Sequence, residues 1–116
     1  MRFQDRPDEE VVEVADRIMD NLMEASTRID HESHTRDFTD RLRAIVTRDK
    51  LTDICRRYQE EKGFFTERSL IGLVRRADGI AFLWTQEFTK AEGAFVAEAL
   101  LVEREGRVLV DHVMVW

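Results

Sequence analysis

Glu98 and His112 are the two side chains whose types and spacing suggest proton transfer. Each lies in an apolar segment that alternates with period two, and Glu105-Gly106 separates the segments as a tight turn. If this turn closes a three-residue loop with a bulge, Glu103 pairs with Arg107. The same register then places Glu98 beside His112. A carboxylate next to an imidazole on an apolar surface can act as a general base with its orienter or proton donor.

The two neighbouring hairpins predict a pocket around this acid–base pair. Pairing them from their own turns places Trp84 beside Glu98 and Gly72 beside Trp84, where the missing side chain leaves room. A purely structural interpretation also stands, in which Glu98 anchors His112 and Trp84 packs over both. The predicted pocket residues are Gly72, Phe82, Trp84, Gln86, Met114 and Tyr58.

Other residues capable of chemistry lack the spacing that their chemistry needs. His31-Glu32-Ser33-His34 has one residue after the Glu where the helical zinc motif has two, and no third ligand is apparent. Cys55 falls on an apolar helical stripe with no base beside it, which is typical of a buried thiol. We therefore expect neither a metal nor a cofactor.

Helical periodicity dominates the first half of the chain. The spacing predicts a helix from Asp8 to about Ser26-Thr27, a short helix from Phe38 to Val46 and a third that Thr47 caps. Gly63 stands where a left-handed C-terminal cap is expected. The stripe of the first helix comprises Val11, Ala15, Ile18, Leu22 and Ala25.

The second half of the sequence predicts four strands joined in consecutive hairpins. Turns at Asp78-Gly79, Glu92-Gly93 and Glu105-Gly106 each supply a Gly for a positive φ. The expected fold is α+β, a single domain of residues 1–116 with N-terminal helices packed on a curved four-stranded antiparallel meander. The strands are predicted at about Phe65–Arg76, Ile80–Thr89, Ala94–Glu103 and Arg107–Trp116.

This order of elements resembles the nuclear transport factor 2-like, cystatin-related α+β cones, especially their small bacterial members of unknown function. Three stretches carry the resemblance: Asp37 to Thr47, Tyr58 to Gly63, and Val102 to Val108. The resemblance implies a cone that can serve as an isomerase, cyclase, hydrolase or dehydratase, or as a non-catalytic binding or dimerisation module. The single Tyr, Tyr58, departs from the pattern of ketosteroid-isomerase-type sites.

The sheet face that points away from the helices is predicted to be unusually apolar. A face open to water normally alternates cleanly with polar residues, so a continuous apolar face favours burial between two copies. Similar cones commonly pair through this face, and we expect a homodimer. The predicted interface residues are Leu73, Leu83, Phe95, Leu101, Leu109 and Val113.

Composition narrows the classes of function that remain. With 24 acidic and 18 basic residues, the net charge of -6 weighs against nucleic-acid binding. The single Cys suits a reducing compartment, here the cytoplasm, and no apolar run reaches membrane-spanning length. Three hypotheses follow: a homodimeric cone that binds a small apolar molecule or a protein without catalysis, an isomerase, dehydratase or cyclase using Glu98 and His112, or an acidic protein-interaction module.

Overall fold

The helices form the first half of the chain. In the computed structural model, which describes all 116 residues, a short 3-10 turn at Phe3–Asp5 precedes them. None of the helices is long and apolar enough to cross a membrane. The four helices are α1 Asp8–Arg28, α2 His31–His34, α3 Asp40–Ile45 and α4 Arg48–Glu61.

The helix ends follow from local sequence. The Thr47 hydroxyl accepts the Lys50 N–H at 3.3 Å, so it caps α4 as predicted. Gly63, just past α4, has φ +88°, which confirms the predicted left-handed position. Asp8, Glu9 and Glu10 fill the first turn of α1, where the helix dipole favours negative charge.

The second half is a four-stranded antiparallel sheet in the order β1-β2-β3-β4. This meander, preceded by the helices, is the predicted α+β class. Predicted and observed strand boundaries differ by at most one residue because Gly-containing turns separate the strands. The strands are β1 Phe65–Arg75, β2 Ile80–Phe88, β3 Phe95–Arg104 and β4 Arg107–Val115.

The core forms where α1 packs on one face of the sheet. Phe82 and Trp84 of β2 stack with ring centroids 5.7 Å apart. On β3, Ala99 pairs with Phe82 and Ala97 pairs with Trp84. Alternating large and small side chains in this way fills the layer without voids. The buried cluster includes Val11, Ala15, Met19 and Leu22 from α1, and Ile80, Phe82, Trp84, Ala97, Ala99, Leu101 and Val110 from the sheet.

The strand register differs from the predicted one in every hairpin. Glu105 and Gly106 both have positive φ, so they form a two-residue type I′ turn that pairs Arg104 with Arg107. A β-bulge then makes Asp111 an extra residue in β4. In β2 and β3, Trp84 pairs with Ala97 and not with Glu98.

These shifts move much of the predicted dimer interface into the core. Because side chains alternate along a strand, a one-residue slip exchanges the faces. Leu101 is 1% exposed in the core, and Leu73 and Val113 pack against that core. Phe95 pairs with the buried Gln86 on the same covered face. The predicted exposure of Leu73, Phe95, Leu101 and Val113 is therefore wrong, whereas Leu83 and Leu109 remain on the open face, which points away from α1.

Gly79 is needed for a reason other than the predicted positive φ. Its φ is not in the left-handed region, but a Cβ there would lie 2.2 Å from the Leu101 carbonyl oxygen. The turn between β1 and β2 therefore needs glycine because another strand's backbone approaches closely.

The register can be tested with two adjacent leucines of β3. We expect Leu101→Ala to lower the free energy of unfolding by about 2–5 kcal/mol, because a buried leucine leaves a cavity. Leu100→Ala, on the open face, should cost less than half as much. Urea denaturation at low protein concentration measures both. A larger loss for Leu100→Ala would contradict the register.

Candidate ligand-binding cavity

An apolar cavity of about 280 Å³ lies between α4, the end of α1 and the ends of the strands. Of the 15 residues that line it, 12 are hydrophobic and none is acidic. Such a lining favours a ligand whose surface is mainly apolar. The principal lining residues are Leu22, Met23, Leu51, Cys55, Tyr58, Phe65, Phe88, Val113 and Val115.

The bulge at Asp111 helps to position the wall contributed by β4. The Asp111 carboxylate accepts hydrogen bonds from the Thr39 hydroxyl at 2.8 Å and from Arg41 Nε at 3.1 Å. Burial alone would raise the pKa of Asp111, but these hydrogen bonds outweigh it and hold the pKa below its ordinary value. Because a bulge bends its strand, β4 turns here before it reaches Val113 and the cavity.

Three polar side chains on the cavity wall are hydrogen-bonded to one another. Ser26 Oγ lies 2.8 Å from the Tyr58 hydroxyl and 3.3 Å from Cys55 Sγ. Burial raises the pKa of both Tyr58 and Cys55, so each stays protonated at neutral pH. Cys55 is consequently a neutral thiol on the wall and not a reactive thiolate.

His34 is the polar side chain of the cavity that lacks a protein partner. Its imidazole lines the cavity, and its Nδ1 is buried without a hydrogen bond. The ring contacts Phe38 edge-on, with centroids 5.3 Å apart. Burial, assisted by the charge of His31, lowers the pKa of His34 to about 4. The imidazole is therefore neutral at pH 7.

The second histidine of this segment has a structural contact. His31 Nε2 lies 2.7 Å from the Val46 carbonyl oxygen, so it carries the proton and donates it. This bond ties α2 to the segment that joins α3 and α4. No group of three or more His, Cys, Asp or Glu side chains lies close enough together to hold a metal ion.

The predicted acid–base pair lies outside the cavity. His112 Nε2 donates to Glu98 Oε1 at 2.9 Å, but the two residues are diagonal neighbours on the open face. Glu98 pairs with Met114, and His112 pairs with Leu100. Their side chains are 31% and 43% exposed. The predicted position of Glu98 and His112 inside the cone is wrong, because the slip between β2 and β3 exchanges the face of Glu98 relative to Trp84.

Four of the predicted pocket residues do not line the cavity. Phe82 and Trp84 fill the core, where the Trp84 indole N–H donates to Asp16 at 3.3 Å. Gln86 is 1% exposed and donates to the Glu87 carbonyl at 3.0 Å. Gly72 pairs with Leu83 on the open face. These placements correct the prediction.

Tyr58 and Met114 are the predicted pocket residues that do line the cavity. The apolar stripe of its helix correctly predicts that Tyr58 faces the interior. Met114 reaches the cavity from β4, an edge strand of the sheet. Sequence reasoning missed Ser26 and His34. Ser26 continues the apolar stripe of α1, so its spacing indicates a buried position. His34 lies in a polar segment whose sequence gives no indication of burial.

The burial of His34 predicts a loss of stability in mild acid. Its folded-state pKa of about 4 lies below the ordinary 6.5, so the unfolded chain binds a proton first as the pH falls. The free energy of unfolding should drop between pH 6.5 and pH 4, by on the order of 3 kcal/mol in total. Urea denaturation of the wild type and His34→Phe measures the difference, with His112→Gln as an exposed control. Parallel profiles for wild type and His34→Phe would refute the assignment.

Comparisons with known proteins identify a fold and no family. No protein-family model matches the chain, and neither does any curated protein. The chain is similar in structure to RPA3114, a SEC-C motif containing protein from Rhodopseudomonas palustris, with a TM-score of 0.61 and 15% identity over 84% of this chain and 74% of that one. It is also similar to Bd1075 from Bdellovibrio bacteriovorus, with a TM-score of 0.55 and 10% identity over 92% of this chain and 41% of that one. At these identities the likeness establishes the α+β fold alone.

Proposed function

We propose that this chain is a nuclear transport factor 2-like cone that binds a small apolar molecule in the cavity without transforming it. The observation that carries the proposal is the apolar cavity of about 280 Å³ between α4 and the sheet. Its size is close to the lower end of small-molecule sites, about 300 Å³. An apolar cavity of about 150 Å³ holds a benzene molecule. A bicyclic aromatic compound therefore suits the space.

The chemistry of the lining favours binding over catalysis. An isomerase, dehydratase or cyclase needs a group that takes or gives a proton beside the substrate. The lining contains no carboxylate, Tyr58 and Cys55 are both kept protonated by burial, and the pKa of His34, lowered to about 4, makes its imidazole a weak base. Glu98 and His112 lie on the open face, away from any ligand in the cavity. The free Cys55 thiol suits a reducing environment, which supports action in the cytoplasm.

The open face supports a second element of the proposal, a homodimer. Val74 and Trp116 are more than half exposed there, and Leu83 lies on a central strand of the same face. These apolar residues surround the hydrogen-bonded Glu98–His112 pair, and exposed apolar surface of this kind on soluble proteins commonly marks an interface, here with a second copy. Ile71 at the β1 bulge is exposed beside the open face, and Val102 on that face is fully buried. The apolar residues of the open face are Val74, Ala81, Leu83, Val96, Leu100, Val102, Leu109, Met114 and Trp116.

Naphthalene is a suitable probe for the cavity. We expect it to raise the Tm of the wild-type protein and to shift the NMR signals of the lining residues. Leu51→Trp should reduce the affinity at least about tenfold, because the larger side chain occupies the cavity. Ile45→Trp adds the same side chain at an exposed position outside the lining and should bind normally. Absence of binding to the wild type would overturn the proposed function.

The dimer can be tested by light scattering. We expect a mass near twice 13.7 kDa at micromolar concentration. Leu83→Glu should convert the dimer to monomer, because it buries an unpaired charge in the interface. Ile45→Glu, at an exposed apolar position on α3, is the matched control and should remain dimeric. A wild-type mass near 13.7 kDa would contradict this element of the proposal.

A further inference from the structure

We infer that His34 recognises the polar end of the ligand, and that the ligand is a compact, neutral, mainly apolar molecule that carries a hydroxyl group, such as a phenol or an alicyclic alcohol. This inference rests on the proposed function and names its ligand class. It starts from the hydrogen bonds of the cavity wall. Ser26, Tyr58 and Cys55 bond to one another, whereas the imidazole of His34 bonds to no protein group.

The geometry of the imidazole determines which atom a ligand can reach. Nδ1 is buried and closed to any partner, so Nε2 is the accessible ring nitrogen. The edge-on contact with Phe38 holds the ring in place, which limits the freedom that binding would remove. No protein group bonds Nε2, so a ligand hydroxyl at this atom gains a hydrogen bond in the low-polarity surroundings of the apolar lining. A hydroxyl can donate or accept, so it fits Nε2 in either tautomer.

The charges around the cavity favour a neutral ligand over an anion. Burial keeps the pKa of His34 near 4, so the ring supplies no positive charge at pH 7. Lys62 is the one cationic residue in the lining. Its Nζ lies 5.4 Å from the centre of the Phe95 ring and 3.8 Å from Glu61 Oε2, so it is already engaged. A carboxylate would lose its hydration in the apolar lining without a free counter-charge.

The test compares 2-naphthol with naphthalene, which differ by the hydroxyl alone. Affinities for the wild type and His34→Phe form a double-mutant cycle, in which Phe keeps a ring against Phe38 but removes the nitrogen. We expect the ratio of the naphthol affinity to the naphthalene affinity to fall about tenfold in His34→Phe, the size of a typical buried hydrogen bond. The naphthalene affinity of each protein is the reference in this ratio, so a change in cavity size affects both ligands and cancels, and circular dichroism checks that the variant is folded.

The outcomes separate this inference from the proposed function. If naphthalene binds and the affinity ratio is the same in both proteins, the role of His34 is wrong and the proposed function stands. If neither compound binds the wild type, both are wrong. Tighter binding of 2-naphthoate than of 2-naphthol at pH 7 would overturn the neutral ligand class. Should His34→Phe fail to fold, ¹⁵N NMR of the wild type decides: 2-naphthol must shift His34 Nε2 more than naphthalene does.

Discussion

The bulge at Asp111 is the irregularity on which the shape of this protein depends. The Asp111 carboxylate accepts hydrogen bonds from Thr39 and Arg41, which fixes β4 against the start of α3. Beside it, the Thr39 N–H donates to the Val110 carbonyl at 2.9 Å, and the Val110 N–H donates to the Asp37 carbonyl at 2.7 Å. The strand is therefore held at the bulge itself and at the residue just before it. If Asp111 were paired regularly, the alternation of side chains would place Val113 and Val115 on the open face, and the cavity would lose one wall.

Secondary structure was predictable because the chain marks its element ends with residues of special backbone preference. Thr47 and Gly63 bound α4 as expected, and the Gly-containing turns separate all four strands. Register was not predictable, because Glu105-Gly106 is compatible with both a three-residue loop and a type I′ turn. The identity of Asp111 gives no local sign of a bulge either. Its partners Thr39 and Arg41 are about 70 residues away in the chain.

The errors in register have different consequences for Glu98 and for its neighbours. Between β3 and β4, the turn and the bulge each shift the pairing by one residue. Together they shift the pairing by two residues, an even number, so Glu98 and His112 stay on a common face and meet as diagonal neighbours. Between β2 and β3 the slip is a single residue, which places Glu98 on the opposite face from Trp84. The contact with His112 therefore exists, but the surroundings expected for it do not. His34 was missed for another reason: it faces a cavity whose walls come from α1, α4 and the sheet, which is a tertiary feature.

The uneven attachment of the helices determines how the domain opens. α4 buries only Leu51 and Cys55, and Ile54 on the same helix is 55% exposed. α1, in contrast, buries six residues along its length. Local opening is easiest where few apolar contacts must be broken, so we expect amide hydrogens of α4 to exchange with solvent at a lower free-energy cost than those of α1 or β2. Because α4 forms one wall of the cavity, its local opening provides a route for exchange between the cavity and water while the rest of the domain stays folded.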